Sequence, residues 1–221
     1  MREIVLDTET TGLDPASGDR IVEIGCIELV NHVATGRVFH RYVNPERDIP
    51  EAVFAIHGLS REFLSSHPVF AGVVDELLAF IADSPLVIHN AAFDLGFVNA
   101  EFKRLARSPL PMDRAIDTVA LARRKFPGTQ ASLDALCARF KIDTSDRALH
   151  GALKDARLLA QVYLELIGGR QPGLELAASA QTAAAVGPNH QRPPRPHAPT
   201  PEEEAAHAAF VDRLVEPLWR R

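Results

Sequence analysis

Residues 4–12 read Ile4-Val5-Leu6-Asp7-Thr8-Glu9-Thr10-Thr11-Gly12, an apolar run that stops on two carboxylates one residue apart. If the strand continues through Asp7 and Glu9, its period of two sends both side chains to one face, roughly 7 Å apart along the chain. Like charges that close repel unless a cation lies between them, which is what a divalent-metal site supplies. Thr10-Thr11-Gly12 then offer a turn whose N–H groups and hydroxyls suit a sugar or phosphate. Taken alone, an Asp-x-Glu triplet is more often a solvated strand end. The rest of the chain has to decide.

Outward from this stretch, Ile21–Val30 and Val38–Val43 read as two further strands joined by short polar connections. Spacing this tight predicts an antiparallel meander, because a parallel crossover needs a dozen or more residues. From Pro68 to Ala82 the period becomes helical, with Val69, Val73, Leu77 and Phe80 three and four apart. Leu86–Ile88 and Ala115-Ile116 are short buried-type strands. Helices are expected over Phe93–Leu105, Thr118–Lys125, Ser132–Phe140 and Gly151–Ile167. Strands first, then strands alternating with helices, predict an α/β domain over residues 1–169 built on a mixed five-stranded sheet flanked by helices.

After Gly168-Gly169 the composition shifts. Residues 170–199 are dominated by Ala, Pro, Gln and small polar residues. Such a segment cannot bury enough surface to offset its ordering entropy, and is expected to be a disordered linker. Pattern returns in residues 200–221, where Thr200-Pro201-Glu202-Glu203 matches a capping box with proline in the first turn. Ala206, Phe210 and Leu214 follow on one face, then Leu218 and the single tryptophan, Trp219. Large side chains on a tethered helix imply a partner that covers them.

Two more stretches carry candidate chemistry. In His89–Phe97, HNAAFDLGF, Asp94 falls in the first turn of a helix behind an apolar strand. By itself Asp94 reads as a helix-start aspartate stabilised by the dipole. His89 reads as structural, and Asn90 is ambiguous. In HGALKDARLLAQVYLEL, His150 and Asp155 are five apart, about 140° around a common helix. They face one site only if His150 lies on the loop and Asp155 in the early helix, which Gly151 permits. A histidine placed there can titrate and act as a base near neutral pH.

Composition sets outer bounds. With 46% hydrophobic and 24% charged residues the 221-residue chain reads as globular and cytoplasmic, without a membrane span or signal-peptide core. Cys26 and Cys137 sit in apolar patterns without metal-ligand spacing and are read as reduced core residues. A net charge of −5 argues against wrapping long duplex DNA but leaves room to grip a few nucleotides, with metal ions supplying positive charge. Arg123-Arg124-Lys125 reads as a solvated helix face.

Together, DTETTGLD, HNAAFDLGF and HGALKDA resemble the three motifs of the DEDDh family of 3′→5′ exonucleases, over nearly all of residues 3–167. IHGL, FPG followed by SLDALCARF, and the C-terminal tail resemble its proofreading branch in bacterial replication. The resemblance implies a ribonuclease-H-like fold and two divalent metals, Mg²⁺ or Mn²⁺. It implies Asp7, Glu9, Asp94 and Asp155 as metal ligands and His150 as general base. Thr8, Thr10, Gly12, Leu13, His57 and Asn90 are expected around the terminal nucleotide, though His57 reads equally as a turn histidine. The implied partners are a DNA 3′ end and the replicative polymerase's catalytic (alpha) subunit, held by Phe210, Leu214, Leu218 and Trp219. Gln181–Val186, QTAAAV, sits where that branch carries a sliding-clamp segment. Ala184 and Val186 give it little apolar anchor, so at most feeble clamp contact is expected. The alternatives are a relative acting on RNA 3′ ends and a non-catalytic replisome subunit.

Overall fold

The computed structural model describes residues 1–145, 149–169 and 198–214. Strands β1 (Arg2–Thr10), β2 (Ile21–Val30) and β3 (Val33–Tyr42) form the expected antiparallel meander. Strands β4 (Leu86–Ile88) and β5 (Ala115–Asp117) extend it in parallel, giving the order β3-β2-β1-β4-β5. The helices of this unit are α1 (Glu51–His57), α2 (Arg61–Ser65), α3 (Phe70–Ile81), α4 (Ala91–Arg104), α5 (Thr118–Lys125), α6 (Leu133–Phe140) and α7 (Ala152–Leu166).

Central strand β1 shows why both faces of the sheet are covered. Ile4 and Leu6 point into a core with Phe70, Leu77, Phe97 and Phe102 from α3 and α4. Val5 points the other way, to Leu136, Leu159 and Val162 from α6 and α7. All of these side chains are at least 98% buried, each contributing roughly 1.5–3 kcal/mol of hydrophobic stabilisation. By the same alternation Asp7 and Glu9 belong to the α7 side and Thr8 to the α4 side.

Three details depart from the sequence expectation. Strand β3 starts at Val33, not Val38, because Asn31 (φ 51°) and His32 (φ 66°) close a two-residue hairpin turn with positive φ at both positions. Helices α1 and α2 had no counterpart in the sequence reading; seven and five residues are too few to show a helical period. Helix α4 begins at Ala91, two residues early, because Asn90 adopts the left-handed conformation (φ 67°) that turns the chain out of β4.

The chain divides into units Met1–Leu174 and Glu175–Arg221. In the second, helix α8 (Pro201–Val211) carries the full capping box: Glu203 N–H donates to Thr200 Oγ1 at 3.2 Å, and Thr200 N–H to Glu203 Oε2 at 2.8 Å. Phe210 is 57% exposed and Leu214 37%. The linker expected over 170–199 falls almost entirely outside the described residues, as do Gln181–Val186, Leu218 and Trp219. Among the described residues no helix is long and apolar enough to cross a membrane.

Candidate active site

Strand β1 runs on through Asp7 and Glu9 to Thr10, so the two carboxylates share a face at its carboxyl end. Pairing with β4 involves only Ile4 and Val5, which leaves the N–H of Thr8 beyond the last ladder rung. Asp94 takes it. From the first turn of α4 its Oδ1 accepts the Thr8 amide at 3.0 Å and the Thr8 hydroxyl at 2.7 Å. Thr8, expected at the substrate, is thus buried and holds Asp94 in place.

Asp155 arrives from the other face. Helix α7 approaches β2 so closely that a Cβ on Gly25 would lie 2.4 Å from the backbone of Ala152 and Leu153. Gly25 is the register partner of Asp7, so this contact sets the amino end of α7 over the acids. Glu23, buried in β2, fixes the seat: its Oε2 accepts Ala152 N–H at 3.1 Å, and its Oε1 lies 2.6 Å from His40 Nε2. The sequence reading passed over Glu23 as one more polar residue of an apolar strand. Pairing across from Glu9 was the only signal, and it needs the register.

His150 lies on the loop before α7 with Asp155 in the first turn, as the five-residue spacing requires. Its Nδ1 is 3.2 Å from Asp155 Oδ2, and its side chain is 45% exposed. Ligand atoms of Glu9, His150 and Asp155 all lie within 4.8 Å of one another. Burial pushes the Asp7 carboxyl well above the usual range, reinforced by the charges of Asp94, Glu9, Asp155 and Glu23. Burial likewise raises Asp94 to about 7, against the two Thr8 hydrogen bonds. Proton uptake is how a metal-free cluster of carboxylates relieves its repulsion; hard divalent cations with oxygen ligands relieve it better. The donor set fits such ions.

The surrounding residues separate into supports and open surfaces. Thr10 is buried and donates its hydroxyl to Gly12 O at 2.6 Å. A Cβ on Gly12 would meet the Asp19 carboxylate at 2.1 Å, so any side chain there would displace Asp19. Leu13 beside them is 85% exposed. His57 ends α1 and is buried; its Nδ1 accepts Leu59 N–H at 2.9 Å, leaving Nε2 to carry the proton. Burial lowers its basicity, against the opposing pull of Glu23 and the Thr10 backbone. Asn90 is exposed, and its N–H donates to Asp117 Oδ1 at 3.2 Å. His89 bonds Thr118 Oγ1 at 2.9 Å, which is structural as expected. Lys125 caps the last carbonyls of α7, Glu165 O and Leu166 O, at 2.9 Å each.

A mixed five-stranded sheet with four acids gathered at the end of its central strand is the architecture of a divalent-metal-dependent exonuclease. The family model described as Exonuclease matches residues 4–163. DNA polymerase III subunit epsilon of Rickettsia felis is 50% identical over 224 residues, spanning 98% of each chain. The Escherichia coli epsilon subunit is 44% identical over 238 residues, spanning 99% of this chain and 97% of that one. The chain therefore belongs to the exonuclease family and, within it, with the DNA polymerase III epsilon subunits. Among solved structures, Exonuclease X in complex with 5′-overhanging duplex DNA is similar at TM-score 0.58 and 26% identity, over 74% of this chain and 90% of that one. Escherichia coli exonuclease I with single-stranded DNA, in a zinc-bound form, shares the fold at TM-score 0.67 and 18% identity, over 78% of this chain and 41% of that one.

Proposed function

We propose that the chain is the proofreading 3′→5′ exonuclease of a cytoplasmic replicative DNA polymerase, hydrolysing mispaired 3′-terminal nucleotides to 5′-mononucleotides. The observation that carries this reading is the convergence of Asp7 and Glu9 from β1, Asp94 from α4 and Asp155 from α7 beside a half-exposed His150. The four carboxylates would hold two Mg²⁺ or Mn²⁺ ions, with Asp7, Glu9 and Asp155 on one and Asp7 and Asp94 toward the second. When bound, such ions stabilise charge on the attacking and leaving oxygens of an in-line phosphoryl displacement.

The protein's own residues do the rest. Asp155 orients the His150 ring through Nδ1, so that Nε2 takes a proton from the water attacking the terminal phosphorus. The bond to the 3′ oxygen of the penultimate nucleotide breaks, leaving a new 3′-hydroxyl on the strand and releasing the terminal nucleoside monophosphate. Thr8 keeps Asp94 aimed at the site through its two hydrogen bonds. Thr10, Gly12, His57 and Asn90 surround the terminal nucleotide, and the exposed Leu13 lies against its base. Degradation of a 3′-mismatched primer with Mg²⁺, abolished by EDTA, tests the reading; a chain inert on that primer with either metal overturns it.

The tail serves assembly. Residues 200–221 present Phe210, Leu214, Leu218 and Trp219 to the polymerase alpha subunit at the end of the 170–199 linker, which lets the nuclease reach a primer end. Support comes from the capped α8 with Phe210 on its surface and from the exposed Leu214, three residues past its end at Val211 and so off the helix face expected for it. Truncation after residue 199 should abolish co-purification with alpha while single-stranded DNA is hydrolysed at the full rate. Undiminished binding would place the docking site in the nuclease unit. Peptide Gln181–Val186 should bind the sliding clamp feebly at most; micromolar affinity would contradict that.

A further inference from the structure

His150 is held at its backbone as well as its ring. Its N–H donates to Ile56 O at 3.1 Å, tying the loop before α7 to the last turn of α1. The neighbouring residue completes the contact. Gly58, directly after α1, adopts φ +71°, and a Cβ there would lie 2.7 Å from Leu149 Cδ1. Leu149 therefore rests on bare glycine backbone, although it is 45% exposed. A leucine that open gains only part of the usual burial from holding one position, since nearly half of its surface stays in water. The glycine permits the seat, because a Cβ at position 58 would meet the Leu149 side chain where it now rests.

We propose that Leu149 seated on Gly58, together with the His150 N–H to Ile56 O bond, forms the joint that positions the general base, making Gly58 and Leu149 positioning residues for hydrolysis. The inference rests on the reading of His150 as general base.

Two variants test it against His150→Ala. Leu149→Ala changes a half-exposed side chain and should fold; Gly58→Ala adds both the contact with Leu149 and the left-handed strain. On a single-stranded oligonucleotide each should lower kcat, Gly58→Ala by roughly tenfold or more, with KM little changed, since misplacing a catalytic group by about 1 Å costs up to ~10²-fold. Combined with His150→Ala, neither should slow the enzyme further, because what they position is gone. Adding Leu149→Ala to Gly58→Ala should recover part of the loss by removing the clash. Effects that multiply with His150→Ala, or that appear in KM alone, would assign both residues to the pocket or to folding and overturn the joint. Wild-type kcat in both variants, with His150→Ala impaired, would also overturn it. An unimpaired His150→Ala would instead remove the general-base reading beneath it.

Discussion

Two groups of acids stand at opposite ends of β1, about 20 Å apart from Glu3 to Glu9 at ~3.3 Å per residue, and they are treated in opposite ways. At the amino end Glu3 is fully buried with Tyr163 OH donating to one oxygen at 2.7 Å and His32 Nδ1 2.7 Å from the other. Nearby Glu28 accepts from Arg2 at 2.7 Å, Arg37 at 2.8 Å and Thr35 at 2.7 Å, and the Arg2 bond leads in holding its carboxyl below the usual range. At the carboxyl end the Asp7 carboxyl is raised by burial and by four other carboxylates. The fold thus brings its own donors to acids that only hold it together. It gathers acids against one another where a cation is to arrive from solution.

The largest effect should follow from breaking the crowded end. Asp7→Ala or Asp155→Ala should abolish hydrolysis while the metal-free protein melts no lower than the original, because each removes a repelling charge. Wild-type activity in either purified variant would refute the ligand assignment. Next in size, His150→Ala should cost on the order of 10²-fold or more, the usual contribution of a positioned base. Its deficit should narrow as pH rises and hydroxide substitutes for the base; a pH–rate curve of unchanged shape would remove His150 from that role.

The two ends also differ in how readily the sequence exposes them. Asp7, Glu9, Asp94, His150 and Asp155 were each ambiguous alone in the sequence, and the combined resemblance of their three motifs is what proposed them as a site. The strand through Asp7 and Glu9 and the loop position of His150 stood in the sequence as conditions for a shared site, and the structure meets both. Glu3, Glu23 and Glu28 were not legible. In a sheet covered on both faces, a glutamate inside an apolar strand gives no sign of whether it meets water or a buried partner, and here all three are buried. Their partners, Tyr163, Ala152 and Arg2, lie 160, 129 and 26 residues away. The joint at Gly58 was hidden for a related reason: α1 is too short to show a period, and its contact with Leu149 is wholly tertiary.

A smaller effect distinguishes the satisfied end. Glu3→Ala leaves the Tyr163 hydroxyl without its acceptor and should destabilise the fold by about 1–3 kcal/mol, the cost of an unsatisfied buried polar group. It lies too far from Asp7 to alter kcat. Equal stability by denaturant melting would mean that Glu3 is held by strand pairing and not by its partners. A drop in kcat larger than the unfolded fraction explains would mean that the two ends of β1 communicate.

The smallest expected effect is the one that reads the repulsion directly. Asp94 is raised to about 7, and an unfolded chain would titrate it near 3.8. Between those values the folded, metal-free protein holds a proton that the unfolded chain releases, so its stability falls as pH rises through the window. Lowering pH from 8 to 6 should therefore raise the melting temperature. Two histidines work against this: burial lowers His57 and His89, so below about 6.5 the unfolded chain gains protons that the folded rings do not. Asp94→Asn removes that carboxyl's contribution and leaves those of the likewise raised Asp7 and of the histidines, so the difference between the two melting profiles isolates Asp94. Mg²⁺ should raise the melting temperature more at pH 8 than at pH 6, because it binds the ionised cluster and the unfolded chain lacks that site. A Mg²⁺ increment independent of pH, with parallel profiles for wild type and Asp94→Asn, would show that the crowded carboxylates are not what the ion relieves.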